Sequence, residues 1–188
     1  MTSLTAAVSC FLGLASFAAG TGALQKPVPR IAKPEALAIE MAKALVAADR
    51  GRFTALAATR EEMEGLLEKA QPPTGPEERK ELKDKVAEIL ADRGNDFDKF
   101  QAMKKEAGVK EGSAVRFELI ELDPIHEKDG MKKVRHSRVR MFQATEGGKE
   151  DPFLITLDDM LLFPRGWAFT SVSPGIGKEP SRLEPTAK

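Results

Sequence analysis

Two adjacent carboxylates at Asp158-Asp159, two histidines at His126 and His136, and the single tryptophan Trp167 are the residues whose chemistry could go beyond packing. In PFLITLDDMLLF, Asp159 has the parity of Phe153, Ile155 and Leu157, so a regular strand would turn its carboxylate inward with them. A carboxylate in an apolar pocket has a raised pKa and can serve as a general base. The other reading is a bulge or bend at Asp-Asp that leaves both acids in water, and the run LLF, where alternation has already failed, favours it.

His126 lies in the loop-like DPIHEKDG beside Asp123, too few ligands for a metal site, and reads as a solvated loop residue. His136 shares a strand face with Arg138 and Arg140, opposite Val139 and Met141, and titrates there near neutral pH. Pro164-Arg165-Gly166 fits a tight reversal. Trp167 then opens the last strand with the parity of Phe169, and the two rings are expected to cap the core. They become candidate ligand-binding residues if the fold is open at that end. The basic stretch Lys132, Lys133, Arg135, Arg138 and Arg140 faces Glu118 and Glu121 on a neighbouring strand and reads as a paired, solvated sheet face. QATEGG lacks the strand–loop–helix setting of a phosphate cradle and reads as a turn. No cofactor and no metal is expected.

The elements that must position these residues follow from breakers and periodicity. Pro34 opens a helix through Leu37, Met41, Ala44, Leu45 and Ala48. Asp49-Arg50-Gly51 interrupts it, and a second helical pattern runs from Phe53 to Leu67. After QPPTGP at 71–76, a helix carries Leu82, Val86, Ile89 and Leu90 and ends at Gly94. A shorter one carries Phe97, Phe100 and Met103 and closes at Gly108. From Ala114 the period changes to two, giving strands at 114–123, 133–143, 152–163 and 167–172. Short links favour antiparallel hairpins. The expectation is an α+β fold, with N-terminal helices packed on a curved antiparallel sheet of about four strands in one domain over 34–174, and a loose tail at 175–188.

The residues 44–57, ALVAADRGRFTALA, and the run from Ala114 through FLITLDDMLLFPRGWAF resemble the nuclear-transport-factor-2-like superfamily, the cystatin-like α+β rolls. The first resembles their helix–Asp–helix opening and the second their closing hairpin with tryptophan. The resemblance implies a cone-shaped sheet that can hold a ligand, in some members with an acid or a His–Asp pair inside it. It also implies dimers formed through the sheet face.

The 188 residues suffice for one buried core. Lys plus Arg and Asp plus Glu both number 29, so no net field favours nucleic acid or an anionic membrane. The first 23 residues carry no charged side chain. Their apolar stretch, Leu4 to Ala19, is short of the ~20 residues of a membrane span, and small residues follow it. It reads as a signal peptide, cut near Ala23, with 24–33 a short leader. Cys10 is the only cysteine and lies within it, so the mature chain has no disulfide. The expected function is an exported, secreted or periplasmic, non-catalytic domain. It would bind an apolar small molecule or another protein, homodimerise, and touch membrane only if the N-terminus is uncleaved. The alternatives are a small lyase or isomerase using Asp159, and a cell-envelope structural protein anchored by its N-terminus.

Overall fold

The computed structural model describes residues 31–113, 115–128, 130–170 and 173–179; the signal-peptide and leader readings at 1–30 fall outside them. Four helices come first: α1 (Pro34–Val46), α2 (Arg50–Leu56), α3 (Arg60–Ala70) and α4 (Pro76–Glu106). Six strands follow: β1 (Val115–Leu122), β2 (His126–Lys128), β3 (Met131–Ala144), β4 (Glu150–Phe163), β5 (Gly166–Phe169) and β6 (Gly175–Lys178). The fold is α+β, with a curved, unclosed antiparallel sheet.

Local signals start and stop the helices. Proline stands in the first turn of α1 and of α4. Thr59 and Glu62 form a reciprocal capping box at the start of α3. Asp49, expected as part of an interruption, is the N-cap of α2 and accepts from the Arg52 amide at 2.8 Å. The second helical pattern is split in two, because the link at Ala57-Ala58 leaves the helix to pair with β5. The Ala58 amide donates to the Phe169 carbonyl at 2.7 Å. Gly94 does not end a helix: α4 runs through it for 31 residues, about 46 Å. One interior glycine costs about 1 kcal/mol. Burial of Val86, Phe97 and Phe100 on either side of it outweighs that cost.

The sheet is four positions wide. β3 and β4 are its centre; β1 and β2 lie in turn along one side of β3, and β5 and β6 in turn along the far side of β4. The four expected strands are therefore four sheet positions, two of them divided. His126 stands on β2 and not in a loop, and the tail begins with a strand, since β6 pairs with Phe153–Thr156. Gly175 fits closely there, because a Cβ would lie 2.5 Å from the Thr156 hydroxyl oxygen and force that side chain to move.

One sheet face carries the core. Val134, Val139, Met141, Phe153, Ile155, Leu157 and Met160 meet Leu37, Met41 and Leu45 of α1, Phe53 of α2, and Phe97 and Phe100 of α4. A second cluster under the α3–α4 hairpin joins Met63, Val86, Phe163 and Ala168. Arg93 is buried between the two regions. It donates to the Ala58 carbonyl at 2.5 Å and to the Thr170 carbonyl at 3.1 and 3.0 Å.

Candidate functional site

Asp159 sits at a bend. Its φ is +48°, a left-handed value that aspartate tolerates better than most residues. The β3–β4 register is the same on both sides, Val134↔Met160 and His136↔Asp158, while Arg135 and Asp159 between them do not pair in the ladder. No residue is inserted, so the irregularity is a bend without a change of register. Its effect is to shift the inward phase of both strands. Val134 and then Ser137 are buried on β3, Leu157 and then Met160 on β4, leaving two successive residues on each strand outside the core. The parity that placed Asp159 with Phe153, Ile155 and Leu157 ends there.

The four residues so displaced, with their neighbours, form a polar cluster. Asp159 pairs with Lys133 at 2.6 Å, its side chain 34% exposed. His136 Nδ1 lies 2.7 Å from Asp158 Oδ1, with the histidine side chain 65% exposed. The hydrogen bond to Asp158 raises the His136 pKa above its ordinary value, helped by the charges of Asp158, Asp123 and Asp159. A His–Asp pair becomes a catalytic base when it contacts a nucleophile or a bound substrate. Asp158 is the ring's hydrogen-bond partner here, and the adjacent Ser137 hydroxyl is turned to the buried side, where it donates to the Leu157 carbonyl at 3.4 Å.

The rest of the outer face is a lattice of ion pairs. Arg138 meets Glu121 at 2.9 Å, and Arg140 meets Glu179 at 2.5 Å and Glu118 at 3.6 Å. Arg116 meets Glu150 at 3.1 Å and stacks over the Phe142 ring, 3.9 Å from its centroid. Expected pairing of the basic stretch with Glu118 and Glu121 is thus met for Arg138 and Arg140.

Trp167 and Phe169 lie in the core, 4% and 0% exposed. The Trp167 amide donates to the Ile31 carbonyl at 2.9 Å, and the preceding Pro164-Arg165 turn is held by Arg165 pairing with Glu62 of α3 at 3.0 Å. Both rings are packed among apolar side chains. His126 is exposed and stands opposite Lys133. Among the described residues no group of three or more His, Cys, Asp or Glu side chains could hold a metal.

Two features were not read from the sequence. One is the β1 edge. Among the described residues β1 pairs with β3 on one side only, and Val115, Ile120 and Ile125 along and just beyond it are exposed large apolar residues. By contrast, β5 is flanked by Ile31 and Ala57. A bulge between Leu119 and Glu121 marks where the β1 ladder shifts. The other is a cavity of about 560 Å³ where the C-terminal ends of α1 and α4 approach β1. Edge position and convergence of helix ends are tertiary facts with no local signal. Comparison of the chain with family models, with curated proteins and with solved structures finds no match.

Proposed function

We propose that this protein is an exported, non-catalytic interaction domain that self-associates through its β1 edge. The observation that carries the reading is the open β1 strand with its exposed apolar residues, on a molecule whose other long strands are paired on both sides over much of their length. An edge of this kind is a template for pairing with another chain. The uncharged apolar N-terminal segment supports export. Helices ahead of a curved antiparallel sheet support the cystatin-like roll reading, with packed side chains where a ligand cone would open. A pocket base needs desolvation, and the pairing of Asp159 with Lys133 argues for a binding role over a lyase or isomerase.

The partner that fits β1 is a second copy of β1. Set antiparallel about Phe117, Arg116 of each strand stands opposite Glu118 of the other, and Val115 opposite Leu119. The two ionic contacts lie on the outer face and the apolar ones on the inner. Each cross-strand ion pair adds about 0.2–1 kcal/mol. The bulge after Leu119 ends the regular register and leaves exposed Ile120 at the rim of the seam, where a charge would have to be desolvated as the copies meet.

Light scattering and native mass spectrometry of the full chain test this. The expected result is a dimer that Ile120→Lys converts to monomer. Arg116→Glu weakens it, and a double charge swap, Arg116→Glu with Glu118→Arg, restores it. A wild-type monomer at every concentration, or a dimer indifferent to all three variants, overturns the reading. The same spectra report whether the chain begins near Leu24, as export requires, or at Met1, as an anchored envelope protein requires.

A further inference from the structure

The cavity between the ends of α1 and α4 and the inner face of β1 has the size and lining of a ligand site. At about 560 Å³ it falls in the range of small-molecule pockets. Its apolar wall is Val46, Ala47, Val109, Val115 and Phe117. Lys104 also lines it, and Lys104 is 5% exposed. Its Nζ donates to the Val46 carbonyl at 3.1 Å, at the C-terminal end of α1. That bond uses one of three ammonium protons, and no carboxylate among the described residues lies within ion-pair distance of it. Buried ammonium groups are normally paired with an anion. Lys43 and Lys110 add two further cations to the lining against one acid, Glu111. Lys43 is engaged by Glu40 at 2.8 Å, whereas the Lys110 side chain has no ion-pair partner among the described residues.

We infer that this cavity binds an amphipathic monoanion, a carboxylate carried on an unbranched apolar chain, with the carboxylate on Lys104 and the chain along Val109, Val115 and Phe117. The charge selects the head group, since a charge-assisted bond to a buried ammonium is stronger than a neutral one. The apolar wall selects the chain and accepts any length that fits the cavity. Val115 and Phe117 belong both to the proposed β1 seam and to the cavity wall, but Lys104 and Lys110, which read the head group, lie off β1, so the two proposals fail separately.

Calorimetric titration of the full chain with dodecanoate, and with dodecanol as the neutral match, decides it. Dodecanoate is expected to saturate at one per chain and to bind about tenfold or more tightly than dodecanol. Lys104→Met should abolish that preference while leaving dodecanol affinity unchanged. Lys110→Glu, an exposed change that spares the Lys104 bond to α1, should weaken dodecanoate alone and covers the case in which Lys104→Met does not fold. Ile120→Lys should bind dodecanoate as the wild type does, whatever its subunit number. Absence of saturable dodecanoate binding, or equal affinity for acid and alcohol, overturns the inference and leaves Lys104 as a cap on α1.

Discussion

At the scale of single residues, the charged groups around the bend on β3 and β4 are worth most as reporters. His136 faces Asp158 directly, with Asp123 and Asp159 adding negative charge and Lys133 engaged by Asp159. Its pKa in the folded protein is raised above the ordinary value of about 6.5. The sign follows: the pair's stabilisation is fully present below that ordinary value and is lost as pH rises through the raised one. NMR titration should find the His136 midpoint above the ordinary histidine value, and Asp158→Asn should bring it down. The same variant should lose more stability against wild type at about pH 5.5 than at about pH 9. Equal midpoints with and without Asp158 would show that the contact is not maintained in solution. Parity counting brought Asp159 into question but could not place it. Both Asp158 and Asp159 read correctly as a site of irregularity; the left-handed φ and the matching break at Arg135 depend on two strands together.

At the scale of elements, the two helix C-termini near the cavity make a natural comparison. α1 and α4 end in the same way. The Asp49 amide reaches back to the Ala44 carbonyl and the Ala48 amide to Leu45; the Val109 amide reaches Lys104 and the Gly108 amide Lys105. The left-handed residue of this motif is Gly108 in α4, with φ +80°, but Ala48 in α1, with φ +55°. An alanine Cβ makes that conformation unfavourable by about 1–2 kcal/mol, partly offset because glycine gains more freedom in the unfolded chain. Ala48→Gly should therefore stabilise the protein by about 0.5–1 kcal/mol in denaturant titration. A loss of stability would mean that α1 ends otherwise in solution. Helix starts were legible because Pro34, Thr59 with Glu62, and Pro76 act locally. The break after α1 was legible at Asp49-Arg50-Gly51, but the left-handed Ala48 that closes it was not, since alanine carries no such signal. Gly94 misled for the opposite reason: its local cost is real, and packing of Phe97 and Phe100 overrides it. Likewise GIGK at 175–178 has no strand signature of its own and becomes β6 only against the waiting edge of β4.

At the scale of the whole molecule, the α+β order, the antiparallel pairing and most of the core were readable from periodicity. How the α3–α4 hairpin attaches was not. Arg93 makes that attachment, tying the middle of α4 to the link before α3 and to the end of β5. Removing a buried cation strands the acceptors it satisfied, a cost of about 3 kcal/mol. Arg93→Met should lower the unfolding free energy by that amount, and the denaturation midpoint with it, while far-ultraviolet dichroism keeps its helical signal. A midpoint within error of wild type would show that the hairpin is held by the Met63, Val86 and Phe163 cluster alone.

α1 packs on its neighbour α2 and on α4, but its other partners, β1, β3, β4 and β5, are encoded long after it in the chain. As the polypeptide is synthesised from its N-terminus, Leu37, Met41 and Leu45 emerge early, but Phe153, Ile155 and Phe169 reach them only when nearly the whole chain is made. Until then the central core has no sheet to close on, and the early helices gain little from tertiary packing. Sequence order alone thus delays compaction.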